Sequence, residues 1–107
     1  MDEIHPPLDI HEMRSAAHTV TALLRALGTE DRLLLLCQMT QGEKSVGELE
    51  SLLDIRQPTL SQQLGVLRNE GLVTTRREGK RIFYAVQDPN VLAVLRTLYG
   101  LYCPRRR

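Results

Sequence analysis

The chain has 107 residues, enough for one domain with a modest core and little room for a second. Apolar types make up 42%, with no tryptophan and one phenylalanine, so the interior must be built from leucine; no apolar run reaches the eighteen or so residues of a membrane-spanning helix. The net charge of +1 hides an asymmetry: residues 1–54 carry 4 Lys/Arg against 10 Asp/Glu, whereas residues 55–107 carry 10 against 3, a balance that suits a polyanionic partner for the second half.

Residues 1–10, "MDEIHPPLDI", read as an acidic N-terminal arm broken by a Pro pair, unlike a secretory signal, so a cytoplasmic, reducing compartment is expected. Two lone cysteines there fit free thiols or a regulatory pair better than a structural staple. Residues 11–107 are expected to form the domain. Met13, Ala16, Ala17, Val20, Leu24 and Leu27 make a helical stripe that Gly28 ends. Thr29 is a candidate cap for a second helix, "EDRLLLLCQMT", apolar on nearly every face and so expected at the centre of the core. "QGEK" reads as a turn. Ser45 and Glu48 match a capping box for a short third helix, "VGELESLLD". After a break at 54–57, Pro58 suits the first position of a fourth helix, with Leu60, Leu64 and Leu67 on its inner face and Gly71 as its stop. "LVTTRR" and "RIFYAVQ" are β-prone runs joined at Glu78–Gly79, a hairpin signal. Asp88 and Pro89 open a last helix from Val91 to Tyr102.

The order α-α-α-α-β-β-α is that of a winged helix-turn-helix, mainly α with a β-hairpin wing. In such a domain the second helix of the pair buries one face and offers the other to the major groove of double-stranded DNA. Thr59, Gln62 and Val66 turn outward here, Ser61 and Gln63 flank them, Gln57 stands at the entry and Arg68 near the far end. Short amides and hydroxyls can reach base edges or phosphates without filling the groove. Gly65 removes bulk on the same outer face. The hairpin tip "RREGKR" sets Arg76, Arg77, Lys80 and Arg81 around one acid, the charge pattern of a nucleic-acid contact. The last helix has almost no polar face, and pairing it with the first helix across a two-fold axis would bury it. A homodimer of that kind sets two reading helices roughly 34 Å apart, one turn of DNA.

An enzyme is not expected. A thiol oxidoreductase wants Cys-x-x-Cys at a helix start, and neither Cys37 nor Cys103 has such a neighbour. Nucleophile–His–acid triads, phosphate loops and paired carboxylates are equally lacking, and no cofactor is called for.

With "TEDRLLLLC", "PTLSQQLGVLRNEGLV" and the basic wing in view, the chain resembles the ArsR family of repressors over nearly its whole length. The resemblance implies homodimers that bind operator DNA and let go when an inducer binds. At Gln63 most relatives carry His. Metal sensing is not implied: around Ser45–Leu49 there is no cysteine, and Asp88-Pro89-Asn90 lacks the histidine of the last-helix site. His5, His11 and His18, with Asp9 or Glu12, are expected to be scattered surface groups rather than metal ligands.

Within the family the chain looks like the BigR/SqrR/HlyU-type regulators, which carry one cysteine late in the second helix and one at the end of the last. Cys37 and Cys103 stand at those positions. The resemblance implies sensing of reactive sulfur or oxidants, with a low-molecular-weight persulfide or polysulfide as inducer. Bridging of the two cysteines by a disulfide or tetrasulfide then releases DNA. Burial should disfavour the Cys37 thiolate, while Arg105, Arg106 and Arg107 should favour that of Cys103, making Cys103 the candidate for first attack. A direct disulfide needs Cα atoms about 4.4–6.8 Å apart, and a longer gap favours a polysulfide.

Overall fold

The computed structural model describes residues 9–103, so His5, the expected arm up to residue 8, and Arg105, Arg106 and Arg107 lie outside the described residues. Helix α1 (Ile10–Leu27) starts where the Asp9 carboxylate accepts the backbone N–H groups of His11 and Glu12, at 2.8 and 3.2 Å. Ile10, expected to be the last residue of the arm, is therefore the first residue of the helix, because the capping carboxylate of Asp9 fixes the first turn. Of the α1 residues only Ala26 and Leu27 are buried, whereas Ile10, Met13, Val20 and Leu24 remain exposed.

Helix α2 (Glu30–Gln38) has Thr29 at its N-cap position, but the threonine side chain accepts no hydrogen bond there, contrary to the sequence expectation. Glu30 and Asp31 complement the helix dipole instead. Four consecutive leucines cannot all face inward when each residue turns the helix by about 100°. Leu35 and Leu36 are fully buried, Leu33 is half-buried and Leu34 is 39% exposed, so the central helix is buried along one side only. A single 3-10 turn (Met39–Gln41) follows, with Met39 in the core.

Strand β1 (Lys44–Ser45) leads directly into α3 (Val46–Leu53). The capping box forms as expected: Ser45 Oγ accepts the Glu48 N–H at 3.2 Å, and the Glu48 carboxylate accepts the Ser45 N–H at 2.8 Å. Asp54, in the left-handed region with φ 56°, ends α3. Pro58 occupies the N-cap position of α4 (Thr59–Asn69), one residue outside the first helical position expected for it. Then come β2 (Thr74–Glu78), β3 (Arg81–Ala85) and α5 (Pro89–Tyr102), the last capped by Asp88, whose carboxylate accepts the Asn90 N–H at 2.8 Å.

The wing turn is closed by Gly79 and Lys80, and Gly79 has φ 63°, a conformation that suits the twist of a two-residue hairpin. The sheet has three strands in the order β1-β3-β2, all antiparallel, with Ser45 opposite Phe83 and Arg76 opposite Phe83 on its other side. The edge strand β1 falls in and just after the segment read as a turn. Two residues carry no periodicity, and they are extended only because β3 offers them a partner. Leu35, Leu36, Leu49, Leu60, Leu64 and Leu95 are essentially inaccessible and knit α2, α3, α4 and α5 into one core. Each such side chain contributes about 1.5–3 kcal/mol by leaving water.

Candidate functional site

Helix α4 presents the two faces its sequence suggests. Leu60, Leu64 and Leu67 are buried; Thr59, Ser61, Gln62 and Arg68 are exposed, and Val66 is 37% exposed. A methyl group placed on Gly65 would meet nothing within 4 Å, so the backbone is open to close approach there. Two residues of the expected reading set are engaged in hydrogen bonds within the chain. Gln57 Oε1 accepts the Ser61 N–H at 3.1 Å, supplying the cap that Pro58 cannot. Gln63 turns back toward α2, its Oε1 accepting a hydrogen bond from Arg32 Nη1 at 2.9 Å.

Arg32 does more than hold Gln63. Its Nε and Nη2 donate to the carbonyls of Ala26 and Arg25 at 2.8 and 3.1 Å, closing the C-terminal end of α1. One guanidinium thus joins α1, α2 and α4. The sequence pattern gave no sign of this role, because an arginine among leucines at a helix start reads simply as the solvated edge.

The four wing cations divide by strand register. Arg76 lies opposite Phe83 and Glu78 opposite Arg81, on one face of the hairpin. Arg76 donates to Glu43 and, at 3.0 Å, to Glu78, and its guanidinium stacks 4.6 Å from the Phe83 ring centre. Arg81 stacks on the same ring at 5.0 Å and donates to Ser45 Oγ at 3.2 Å. These contacts hold the Arg76 guanidinium pKa well above its usual range and pull the Glu43 carboxyl below its own, chiefly through their mutual hydrogen bond. Arg77 and Lys80 are exposed and make no ion pair among the described residues.

Both thiols line one cavity of about 700 Å³ between α2 and α5 of a single protomer. Leu33, Leu34, Leu53 and Leu95 form its apolar walls, and Gln38, Gln41, Arg96 and Tyr99 supply its polar rim. Cys37 is half-buried near the end of α2, and Cys103 is half-buried at the C-cap of α5, where its N–H still reaches the Tyr99 carbonyl at 2.9 Å. Both are free thiols. Burial pushes the Cys37 thiol pKa up, as expected, and the neighbouring Cys103 pushes it further in the same direction. The arginines invoked to favour the Cys103 thiolate are outside the described residues. His11 and His18 are exposed on α1, and among the described residues no cluster of three or more metal-ligating side chains occurs. No helix among those residues is long and apolar enough to cross a membrane.

Residues 29–75, from the cap of α2 into β2, match the family described as bacterial regulatory proteins of the arsR family. The Biofilm growth-associated repressor of Agrobacterium fabrum is 50% identical over 105 residues, covering 94% of this chain and 90% of that protein. The Transcriptional activator HlyU of Vibrio cholerae is 41% identical over 97 residues, covering 91% and 90%. The crystal structure of the transcriptional repressor BigR from Xylella fastidiosa superimposes with a TM-score of 0.83 at 44% identity, over 92% of this chain and all of that one. The buried and exposed faces of α4, the hairpin beside it and this similarity along the whole chain agree: the protein belongs to the ArsR family and is a winged-helix transcriptional regulator resembling BigR and HlyU.

Proposed function

We propose that the protein is a homodimeric, thiol-controlled repressor of the cytoplasm. With Cys37 and Cys103 reduced it binds double-stranded operator DNA through α4 and the wing; bridging of the two cysteines by reactive sulfur releases it. The observation that carries this reading is the shared cavity: two free thiols 66 positions apart in sequence line one space between the helix that supports α4 and the helix that ends the fold.

The chemistry balances without any metal or cofactor. Each thiol takes one sulfur from a low-molecular-weight persulfide, releasing the corresponding thiol. A third persulfide then oxidises the pair of protein persulfides to a tetrasulfide and is itself reduced to thiol and hydrogen sulfide. A disulfide oxidant would instead form a direct Cys37–Cys103 bond and leave as two thiols.

Dimerisation through α1 and α5 is supported by exposed apolar side chains on both: Met13, Val20 and Leu24 on one, Tyr99, Leu101 and Tyr102 on the other. The radius of gyration is 16.3 Å, against about 13 Å for a compact domain of this length. Helices that project from the core in this way suit a partner that covers them.

DNA binding measured by fluorescence anisotropy, on the gene's own upstream fragment at one fixed salt concentration, tests the reading. Reduced protein is expected to bind, persulfide treatment to weaken binding, and Cys37→Ser to abolish that response. Equal binding by reduced and treated protein would sink it. A second reading has one observation in its favour, the name Transcriptional activator of the HlyU relative. The same DNA contact would then activate by displacing another DNA-bound protein. Footprinting with a competing DNA-binding protein present separates the two.

A further inference from the structure

The walls of the thiol cavity are more specific than two thiols need. Inorganic sulfur is small and would be served by the apolar surface alone, whereas about 700 Å³ is a volume typical of sites for molecules of many atoms. Among the described residues that line it, Arg96 is the one charged side chain and no carboxylate shares the cavity; Arg96 is exposed and makes no ion pair with any described residue. Its position on α5 matters. Arg96, Tyr99 and Cys103 follow at intervals of three and four, so they share one stripe of the helix, with the cation almost two turns before the thiol. Across the cavity, Gln38 and Gln41 offer amide groups that can donate to oxygen anions.

We propose that Arg96 anchors a carboxylate of the incoming persulfide, so that the cavity is a binding site for an anionic organic persulfide of small-peptide type. The inference rests on the sulfur-sensing reading above and adds a ligand class to it. Guanidinium suits a carboxylate because its planar fork can donate two parallel hydrogen bonds. With the carboxylate held at Arg96, the far end of the ligand lies along the stripe toward Cys103. The Cys103 thiolate then attacks the terminal sulfur of R–S–SH. The new Cys103 S–S bond forms as the ligand's own S–S bond breaks, the hydrogen stays on the transferred sulfur, and the R–S⁻ leaving group takes up the proton that Cys103 had released. The second transfer and the closing oxidation proceed as written above.

The test compares wild type, Arg96→Gln and Arg96→Lys, all full length, with two persulfides of matched reactivity. One is glutathione persulfide, which carries carboxylates; the other is the uncharged persulfide of 2-mercaptoethanol. Bridging is read by intact-mass spectrometry against time and ligand concentration, and thermal melts verify that the variants are folded. Arg96→Gln is expected to slow bridging by glutathione persulfide about five- to tenfold, through weaker saturation. Arg96→Lys should recover part of the rate, and the uncharged persulfide should react equally with all three proteins. Equal slowing with both persulfides would mean that Arg96 acts on the thiols, which overturns the anchor. No slowing with either overturns it too, while leaving sulfur sensing intact. If wild type bridges with neither persulfide, the sulfur-sensing reading itself has failed.

Discussion

A cysteine reacts through its thiolate, so the packing that holds Cys37 beside α5 also sets how readily its thiol reacts. Its pKa is raised above 9.0, first by burial and then by the nearby Cys103. At neutral pH the thiol form dominates, which suits a residue that resolves a bridge rather than one that opens the attack. The iodoacetamide alkylation rate at Cys37, followed by peptide mass spectrometry, is expected to climb with pH to a midpoint above 9.0. Cys103→Ser, close in size and uncharged, should lower that midpoint, since the second thiolate no longer opposes the first. A midpoint that does not move would mean that the two sulfurs are too far apart to interact. Residue-level roles were also the least legible part of the sequence. Composition singled out Arg76 and Arg81 as DNA contacts together with Arg77 and Lys80, because charge at a hairpin tip is visible in one dimension. That Arg76 is occupied by Glu43, 33 positions away in sequence, depends on a tertiary approach.

Elements were more legible, because their signals are local. The Ser45–Glu48 box, the Leu60–Leu64–Leu67 stripe and the Asp88 cap each state their geometry within one or two helical turns. What escaped notice was β1, whose extended form is imposed by β3, and the inert Thr29 side chain, whose place the first-turn acids fill. The wing is an element with a division of labour. Its inner face, Arg76, Phe83 and Arg81 with Glu43 and Ser45, fixes its orientation; Arg77 and Lys80 stay exposed, and we propose that these two meet phosphate. Arg77→Ala is therefore expected to reduce the slope of log K against log salt by about 0.9, the loss of one phosphate contact. Arg76→Ala should weaken binding without that loss of slope, as a misplaced wing would. Equal slope changes in the two variants would contradict the division. Acid should act on the same element. Folding holds the carboxyls of Glu43, through Arg76, and Glu48, through the Ser45 N–H, below their ordinary value of 4.5. Their stabilisation is fully present above 4.5 and is lost as pH falls through the lower folded-state values. The urea midpoint should drop between neutral pH and that acidic window, and less so in Glu48→Gln.

The whole molecule presents an incomplete surface. A monomer of 107 residues that leaves Leu24 57%, Leu101 71% and Tyr102 79% exposed has apolar area that the proposed dimer would cover. Leu24→Glu and Leu101→Glu, on α1 and α5, are expected to shift sedimentation from dimer to monomer while the far-ultraviolet spectrum stays helical. Both should bind a full operator far more weakly than wild type, since one reading head then acts alone. Dimeric variants would place the seam elsewhere.

Within this molecule α2 is a shared shaft. Arg32 and Cys37 are five residues apart on it, about 7.5 Å along the axis and roughly 140° around it. The arginine grips α4 through Gln63, while the cysteine looks into the cavity toward α5. On the proposed function, detection and DNA reading are thus geared to opposite flanks of one rod. If that function holds, exchanging the side chains on the α5 flank would give the protein a new chemical vocabulary, while the operator read through α4 stays the same.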